Sequence, residues 1–290
     1  MLPGTPYASD RATPAPTTHE TGRHRAPGSM ETTLQFIGTA TSLLRLGPFT
    51  LLTDPDFRPS GRRAYLGNGL FSKRRTDPAL QPEQLPRLDA VVLSHLHADH
   101  FDRVARDRLP RDLPVLTTGA ASRTLHRWGF TQAQPLPTWR SSTLTDGDAR
   151  LTITSVPGVH APGPARLLLP PVMGSVLELT DGSAEPFRVY VTGDTLRRPW
   201  LAEITDRVGP IDAMVIHLGG TRAFGMLVTM DGGQGADLVS LIGPDVTVPV
   251  HYDDYTVFRS PLSDFTGAVA DRQLRTSVRT VGRGETISLR

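Results

Sequence analysis

Between residues 94 and 102 the chain reads Ser94-His95-Leu96-His97-Ala98-Asp99-His100-Phe101-Asp102. Three imidazoles and a carboxylate lie directly behind the apolar run Asp89-Ala-Val-Val-Leu-Ser94, which reads as a buried strand feeding a loop. Such a cluster makes a poor core by itself, because every buried polar group needs a partner. A divalent cation partners all of them at once. Alternate residues of an extended segment project to one side, so His95 and His97 can meet the same ion. Asp99 and His100 follow as the chain turns towards a helix and can face a second. The sequence contains no cysteine. That excludes disulfides, thiolate ligands and thiol nucleophiles, and leaves a histidine and carboxylate set suited to zinc, manganese or iron.

Further ligands are expected where other apolar strands stop, the edge at which sites gather in open sheets. His160 follows the strand 151–156, Asp194 follows 187–191 in Thr192-Gly-Asp-Thr195, and His251 follows 246–250 in Val248-Pro-Val-His-Tyr252. Each alone reads equally well as a satisfied core histidine or a turn aspartate; together with the HxHxDH string they read as ligands. Asp54, before Pro55, is either a turn former or a carboxylate that orients a ligand from behind. Proton donors for a leaving group are sought in Tyr252 and in His217, which ends the strand 211–216; His217 is a candidate to meet substrate or to support a ligand from behind, and the alternative for it is a core histidine bonded to the backbone. Arg222 is a candidate contact for an anionic group, against the commoner solvated arginine. His126 is expected on a helix surface. The run Arg62, Arg63, Lys73, Arg74, Arg75 reads as a solvated loop. The stiff apolar segment 161–171 either lines a pocket or forms a buried connection. The glycines at 219, 220, 232, 233 and 235 form no nucleotide-binding fingerprint.

The elements that must position these residues begin as short β runs at 34–37, 42–46 and 49–53, followed by 89–94. Strands are then expected at 151–156, 172–179, 187–191, 211–216, 246–250, 278–281 and 286–289, and helices at 119–128, 199–208, 234–242 and 261–275. Two sheets with helices outside is the layered arrangement this order suggests. Residues 1–29, rich in Pro, Thr, Gly and Ala, are expected to be a disordered tail, and 30–290 a single domain. No apolar run approaches the ~20 residues of a membrane span, and no hydrophobic signal core opens the chain, so a cytoplasmic protein is expected. The 31 Lys and Arg against 29 Asp and Glu leave a net charge of +2. So small a balance argues against a nucleic-acid partner and for a small-molecule substrate, with a homo-oligomer left open.

HxHxDH, a distant His, Gly-Asp-Thr after a strand and a final Pro-x-His together resemble the metallo-β-lactamase fold superfamily, from about Leu34 to the C-terminus. Within it, Phe36-Ile-Gly-Thr-Ala-Thr-Ser42, Leu51-Leu-Thr-Asp-Pro55 and Val248-Pro-Val-His-Tyr252 are most similar to the family of ascorbate-6-phosphate lactonase and N-acyl-phosphatidylethanolamine phospholipase D. The resemblance implies an αββα four-layer sandwich, two mixed β-sheets packed face to face with helices outside. It implies two divalent ions, zinc first: one on His95, His97 and His160, the other on Asp99, His100 and His251, with Asp194 between them and Asp54 behind. It implies a hydrolase in which a hydroxide shared by the two metals attacks a phosphodiester or a lactone or other ester, held in line by Asp99. A thiol ligand, a helical thioester-binding domain and a long insert after Asp194 are all lacking, which sets aside several better-known branches. The alternatives are an iron-dependent oxidoreductase of the same fold and a non-catalytic, metal-stabilised binding module.

Overall fold

The computed structural model describes residues 18–20, 31–67, 69–181, 185–223 and 225–290. Two mixed sheets carry the molecule. The first runs, in spatial order, Thr286–Ser288, Thr32–Gly38, Thr41–Leu46, Phe49–Thr53, Ala90–Leu93, Val115–Thr117 and Ala133–Pro135. The second runs Thr18–Glu20, Ser141–Asp146, Ala149–Pro157, Met173–Thr180, Phe187–Val191, Ala213–His217, Val246–Val250 and Ser277–Val278.

Side-chain alternation along these strands makes the layers. Ala90 and Val92 point between the sheets with Leu51, Leu177, Val189, Val215 and Val248. Their neighbours Val91 and Leu93 point outward, onto Ala105, Ala121, Leu125 and Phe130. On the far face of the second sheet, Val176, Tyr190, Met214 and Ile216 are covered by Ile204, Leu238, Val239, Ile242 and Phe265. Those cover residues come from the helices Glu203–Val208, Gly232–Ile242 and Leu262–Asp271. The strands are buried on both faces, which is why they read as continuous apolar runs rather than as alternating ones. The result is the expected αββα sandwich.

Topology gathers the strand ends. Ala149–Pro157 and Phe187–Val191 both run antiparallel to Met173–Thr180 between them, so they are parallel to each other. Ala213–His217 and Val246–Val250 continue parallel. Four strands of the second sheet therefore finish at one edge, each delivering a polar residue there. In the first sheet Phe49–Thr53 lies parallel to Ala90–Leu93, with Thr53 opposite Val92, which puts Asp54 beside the start of the histidine string.

Several boundaries differ from expectation for local reasons. The expected helix 234–242 begins at Gly232, because the Asp231 side chain caps it by accepting from Gln234 N at 2.9 Å; two glycines of poor helix propensity masked this start. The expected helix 199–208 is a 3-10 turn, Pro199–Ala202, followed by Glu203–Val208. The helix Gly119–Arg127 lies as expected, and His126 is exposed on it. The strand Ser141–Asp146 departs from expectation, since Ser-Ser-Thr-Leu-Thr-Asp carries one large apolar residue. The short strands Val115–Thr117 and Ala133–Pro135 and the Asp102-capped helix Arg103–Arg108 were likewise too short to show a period. Of the N-terminal tail, only Thr18–Glu20 are described, paired parallel to Thr143–Thr145; the rest of that expected disorder lies outside the described residues. None of the described helices is long and apolar enough to cross a membrane.

The basic run is not uniformly solvated. Arg62, Arg63, Lys73 and Arg75 are exposed, but Arg74 is fully buried. Its Nη1 lies 2.9 Å from Asp56 Oδ2 and donates to the Asp56 carbonyl at 3.0 Å, while Nε donates to Thr76 O at 3.0 Å. The Tyr255 hydroxyl donates to the same Asp56 carboxylate at 2.7 Å. The solvated reading fails at Arg74 for a physical reason: a buried guanidinium persists when its donors are matched by a carboxylate and carbonyls.

Candidate metal centre

The seven side chains singled out in the sequence converge at the gathered edge. His95 Nε2 lies 3.0 Å from His97 Nδ1, and His97 Nδ1 lies 3.2 Å from His160 Nε2. Beside this trio, His251 Nε2 is 3.5 Å from Asp99 Oδ2, and His100 belongs to the same cluster. Asp194 sits between the two groups. Its Oδ2 is 3.2 Å from His100 Nε2 and 4.0 Å from both His95 Nε2 and His160 Nε2; its Oδ1 is 3.6 Å from His251 Nδ1.

Local backbone geometry makes this convergence. After Ser94 the chain leaves its strand, and a turn closed by His100 N and Phe101 N donating to His97 O folds Asp99 and His100 back towards His95. His251 adopts a left-handed φ of +62° with its N–H donating to Thr39 O at 2.8 Å, and Asp54 a φ of +37°. Such conformations cost about 1–3 kcal/mol each and collect at functional sites. Gly193, at φ +59°, brings the Asp194 turn against the other sheet: a Cβ there would stand 2.8 Å from Ser94 Cβ and 2.9 Å from Met173 O.

The donor set fits cations. Val228 O, which can only accept, takes the Nδ1 proton of His160 at 2.8 Å, so Nε2 presents a lone pair to the cluster. Leu218 O likewise keeps the Nδ1 proton of His251 at 3.3 Å, so that release of the other proton would free Nε2. Asp99 Oδ1, Asp194 Oδ1, His100 Nε2 and His251 Nε2 are buried without a hydrogen-bond partner among the described residues. Four orphaned polar atoms around one point are costly unless something cationic sits between them. Zinc–nitrogen bonds of about 2.0–2.1 Å at a tetrahedral angle put ligand nitrogens about 3.3 Å apart, close to the spacings within the His95, His97 and His160 trio. His95, His97 and His160 would hold one ion and Asp99, His100 and His251 another, with Asp194 shared.

Electrostatics divide the two groups. Burial, reinforced by neighbouring imidazoles, pushes His95 far below the usual histidine range and His97 down to about 3; burial also lowers His160. These three are neutral and ready to ligate. Burial opposes the charge on His100 too, but Asp194 and Asp54 outweigh it and raise this imidazole well above its ordinary value. Asp194 likewise raises His251 against the effect of burial. For Asp99 burial acts upward, yet the proton facing it from His251 and the charge on His100 bring the carboxyl to about 2.

Asp54 stands behind the ligands. Its Oδ1 accepts from Ser94 N at 2.7 Å and from Ser94 Oγ at 2.9 Å; its Oδ2 lies 3.3 Å from His100 Nδ1 and 3.4 Å from His217 Nε2. His217 is fully buried, with Nδ1 3.2 Å from Thr192 Oγ1, and does not line the cavity above the cluster. It stands with Asp54 behind the ligands, and its partners are a carboxylate and a hydroxyl rather than a backbone carbonyl. Tyr252 is not among the described residues that line the cavity. It is half-buried and packs against the apolar cluster beneath the outer helices. Arg222 does reach the cavity rim, exposed, with Nη1 donating to Gly225 O at 3.1 Å. Ser94, whose hydroxyl ties Asp54 to His95 Nδ1 at 3.0 Å, is a participant absent from the sequence candidates although it adjoins the motif; Thr192 carries the same signal in Thr192-Gly-Asp.

The cavity opens directly over His97, Asp99, His160, Asp194 and His251 and measures about 270 Å³. Leu66, Gly67 and Leu70 form one wall, Leu169 another, and Thr221, Ala223 and Val228 a third. The apolar segment after His160 thus contributes to the pocket through Leu169.

Two facing sheets with a dinuclear-type histidine and aspartate cluster at their shared edge define the metallo-β-lactamase fold. The chain belongs to the beta-lactamase superfamily domain family, which it matches over residues 50–252. It is 28% identical over 239 residues to an uncharacterized protein of Mycobacterium tuberculosis, covering 79% of this chain and 60% of that relative. The chain thus spans under two thirds of the length of that relative. It is 26% identical over 205 residues to a UPF0173 metal-dependent hydrolase of Anaeromyxobacter sp., covering 68% of this chain and 70% of the relative. Among solved structures it resembles a possible metal-dependent hydrolase from Veillonella parvula (TM-score 0.74, 22% identity, 89% of this chain and 99% of that one). It also resembles the isothiocyanate hydrolase from Delia radicum gut bacteria (0.72, 20%, 88% and 98%). A third likeness is the diiron β-hydroxylase of Streptomyces venezuelae (0.63, 18%, 91% and 55%). At these identities the structural likenesses speak for the fold.

Proposed function

We propose that the protein is a metal-dependent hydrolase of small molecules, with His95, His97 and His160 holding one divalent ion, Asp99, His100 and His251 a second, and Asp194 both. The observation that carries this reading is the convergence of seven ligand-type side chains, six of them buried and His97 half-buried, several with orphaned polar atoms, at the floor of one open cavity. Bound divalent ions would supply Lewis acidity and bring the pKa of a coordinated water from about 15.7 to about 7. Zinc suits the nitrogen-rich trio; manganese and iron suit the same donors.

The chain's own residues do the rest. Asp99, ionised and with Oδ1 unpaired, accepts a hydrogen bond from water on the cavity floor and holds its oxygen in line. Asp54 and Ser94 keep His100 and His95 in the tautomers that ligate. The leucine-lined walls keep bulk water from the reacting atoms, which strengthens every charge interaction inside. Substrates open to such a centre are phosphodiesters and carboxylic esters or lactones, the second in keeping with the resemblance to ascorbate-6-phosphate lactonase.

A redox reading of the same ligands rests on the fold shared with a diiron hydroxylase. One experiment separates the two. The purified protein is analysed for metal and assayed against bis-p-nitrophenyl phosphate, lactones and p-nitrophenyl esters, before and after chelation, with oxygen uptake followed in parallel. The expected result is hydrolysis lost on chelation and restored by zinc or manganese, with His97→Ala losing at least one equivalent of metal and Asp99→Asn losing turnover. Activity that survives full removal of metal defeats the proposal, and stoichiometric iron with oxygen consumption favours the redox reading.

A further inference from the structure

If the floor of the cavity hydrolyses, as proposed above, its walls select the substrate. A dinuclear floor serves anionic and neutral electrophiles alike, so the discriminating groups are those that meet the rest of the substrate. Among the described lining residues Arg222 is the one Lys or Arg, and it is exposed at the rim and tied to Gly225 O. Every other wall contact is leucine, valine, alanine, glycine or a threonine. Thr229 Oγ1 accepts from Thr221 N at 2.8 Å, and Thr221 Oγ1 is buried without a hydrogen-bond partner among the described residues, so apart from Arg222 the walls offer two neutral hydroxyls and no charge. A phosphodiester's charge would be met by the floor, but its second ester arm and remaining oxygen would lie against apolar wall with one distant cation. Placing charge there without partners is costly.

The apolar surface also continues outward. Among the described residues five large apolar side chains are exposed: Tyr65, Phe71, Leu168, Trp200 and Met226. Four of them adjoin residues that line the cavity, along the chain or across a hairpin. Tyr65 and Phe71 pair across the hairpin whose turn supplies Leu66 and Leu70, their ring centroids 5.0 Å apart. Leu168 precedes Leu169, and Met226 pairs with Ala223. Isolated exposed apolar residues need no explanation, but four that each adjoin the lining of one cavity do. A dry cavity of about 150 Å³ accommodates benzene, so about 270 Å³ takes a chain of several carbons beyond the reacting group before the collar is reached.

We infer that the substrate is a neutral carboxylic ester or lactone bearing an apolar arm, with Leu70, Leu169 and Val228 gripping the arm and the Tyr65, Phe71, Leu168 and Met226 collar receiving what projects.

The test is a chain-length series. The metal-loaded protein is assayed on p-nitrophenyl acetate, butyrate, hexanoate and octanoate and on bis-p-nitrophenyl phosphate. Binding of alkyl hydroxamates of the same lengths is measured by calorimetry. Each buried methylene is worth about 0.8 kcal/mol, or about 4-fold. The expected result is a kcat/KM at least about tenfold higher for hexanoate than for acetate, the same trend in hydroxamate affinity, and the phosphodiester turned over more slowly than any ester. Leu70→Asn and Leu169→Asn, half-buried on separate loops, should each cut the hexanoate-to-acetate ratio by about tenfold while metal content stays at the wild-type value. A flat or falling series, or a phosphodiester preferred over the esters, overturns the inference and leaves the hydrolase reading standing. Turnover of no substrate by protein carrying two equivalents of metal overturns both.

Discussion

Asp54→Asn isolates what the carboxylate behind the ligands does. The substitution keeps shape and keeps Oδ1, which accepts from Ser94 N at 2.7 Å and Ser94 Oγ at 2.9 Å. It replaces Oδ2, which faces His100 Nδ1 at 3.3 Å and His217 Nε2 at 3.4 Å, by an amide that donates. His100 Nδ1 must then accept, so the ring's proton moves to Nε2, the atom that faces Asp194 at 3.2 Å and the second group of ligands. A donor now points where a lone pair is required. Loss of a partner that orients a ligating histidine typically weakens metal binding by about 10–100-fold, or about 1.4–2.8 kcal/mol. The weakening should fall on the ion held by Asp99, His100 and His251; the His95, His97 and His160 site should change by less than about threefold, because none of its rings touches Asp54. Chelator competition that resolves the two equivalents reads this directly, and the melting temperature of the metal-free protein reports any general damage. Equal weakening of both ions together with a lowered melting temperature would refute the tautomer reasoning, as would unchanged affinity at both.

The two groups should also differ in their response to pH. His95, His97 and His160 are already neutral, whereas His100 and His251 are held protonated by Asp194 and its neighbours and must release those protons to ligate. Calorimetry in buffers of different ionisation enthalpy should show proton release with the second equivalent alone, and a second-site affinity that falls about tenfold per pH unit per proton as pH drops through the raised folded values of these two imidazoles. In the metal-free protein the raised pKa values carry the opposite sign. Their stabilisation is complete below the unfolded value near 6.5 and disappears as pH rises through the folded values, so alkaline pH should lower the melting temperature of the apo form more than that of the metal-bound form. Arg74→Ala, which leaves the Asp56 carboxylate buried without its 2.9 Å partner, should cost about 3–5 kcal/mol in denaturant unfolding; a loss too small to separate from that of an exposed arginine such as Arg62→Ala would show that the pair is not the clasp its burial suggests.

What could be read from residue order alone was whatever is local and periodic. HxHxDH behind an apolar run, and single His or Asp residues just past three further runs, marked the ligands because strand ends and polar residues coincide in the chain itself. The layered fold came from the order of the runs. Tertiary structure decided what residue order cannot carry. Whether Tyr252 or Leu169 faces the cavity depends on how a turn is wound, and the cavity's leucine walls come from loops far apart in sequence. His217 found a carboxylate at the end of a strand in the other sheet. Arg74, one of five similar bases in a surface-like run, is buried because Asp56 meets it from 18 residues earlier in the chain and Tyr255 closes over the same carboxylate from the far end of the sequence. A buried charge is tolerated only where partners arrive, and where partners arrive is a property of the packed sandwich.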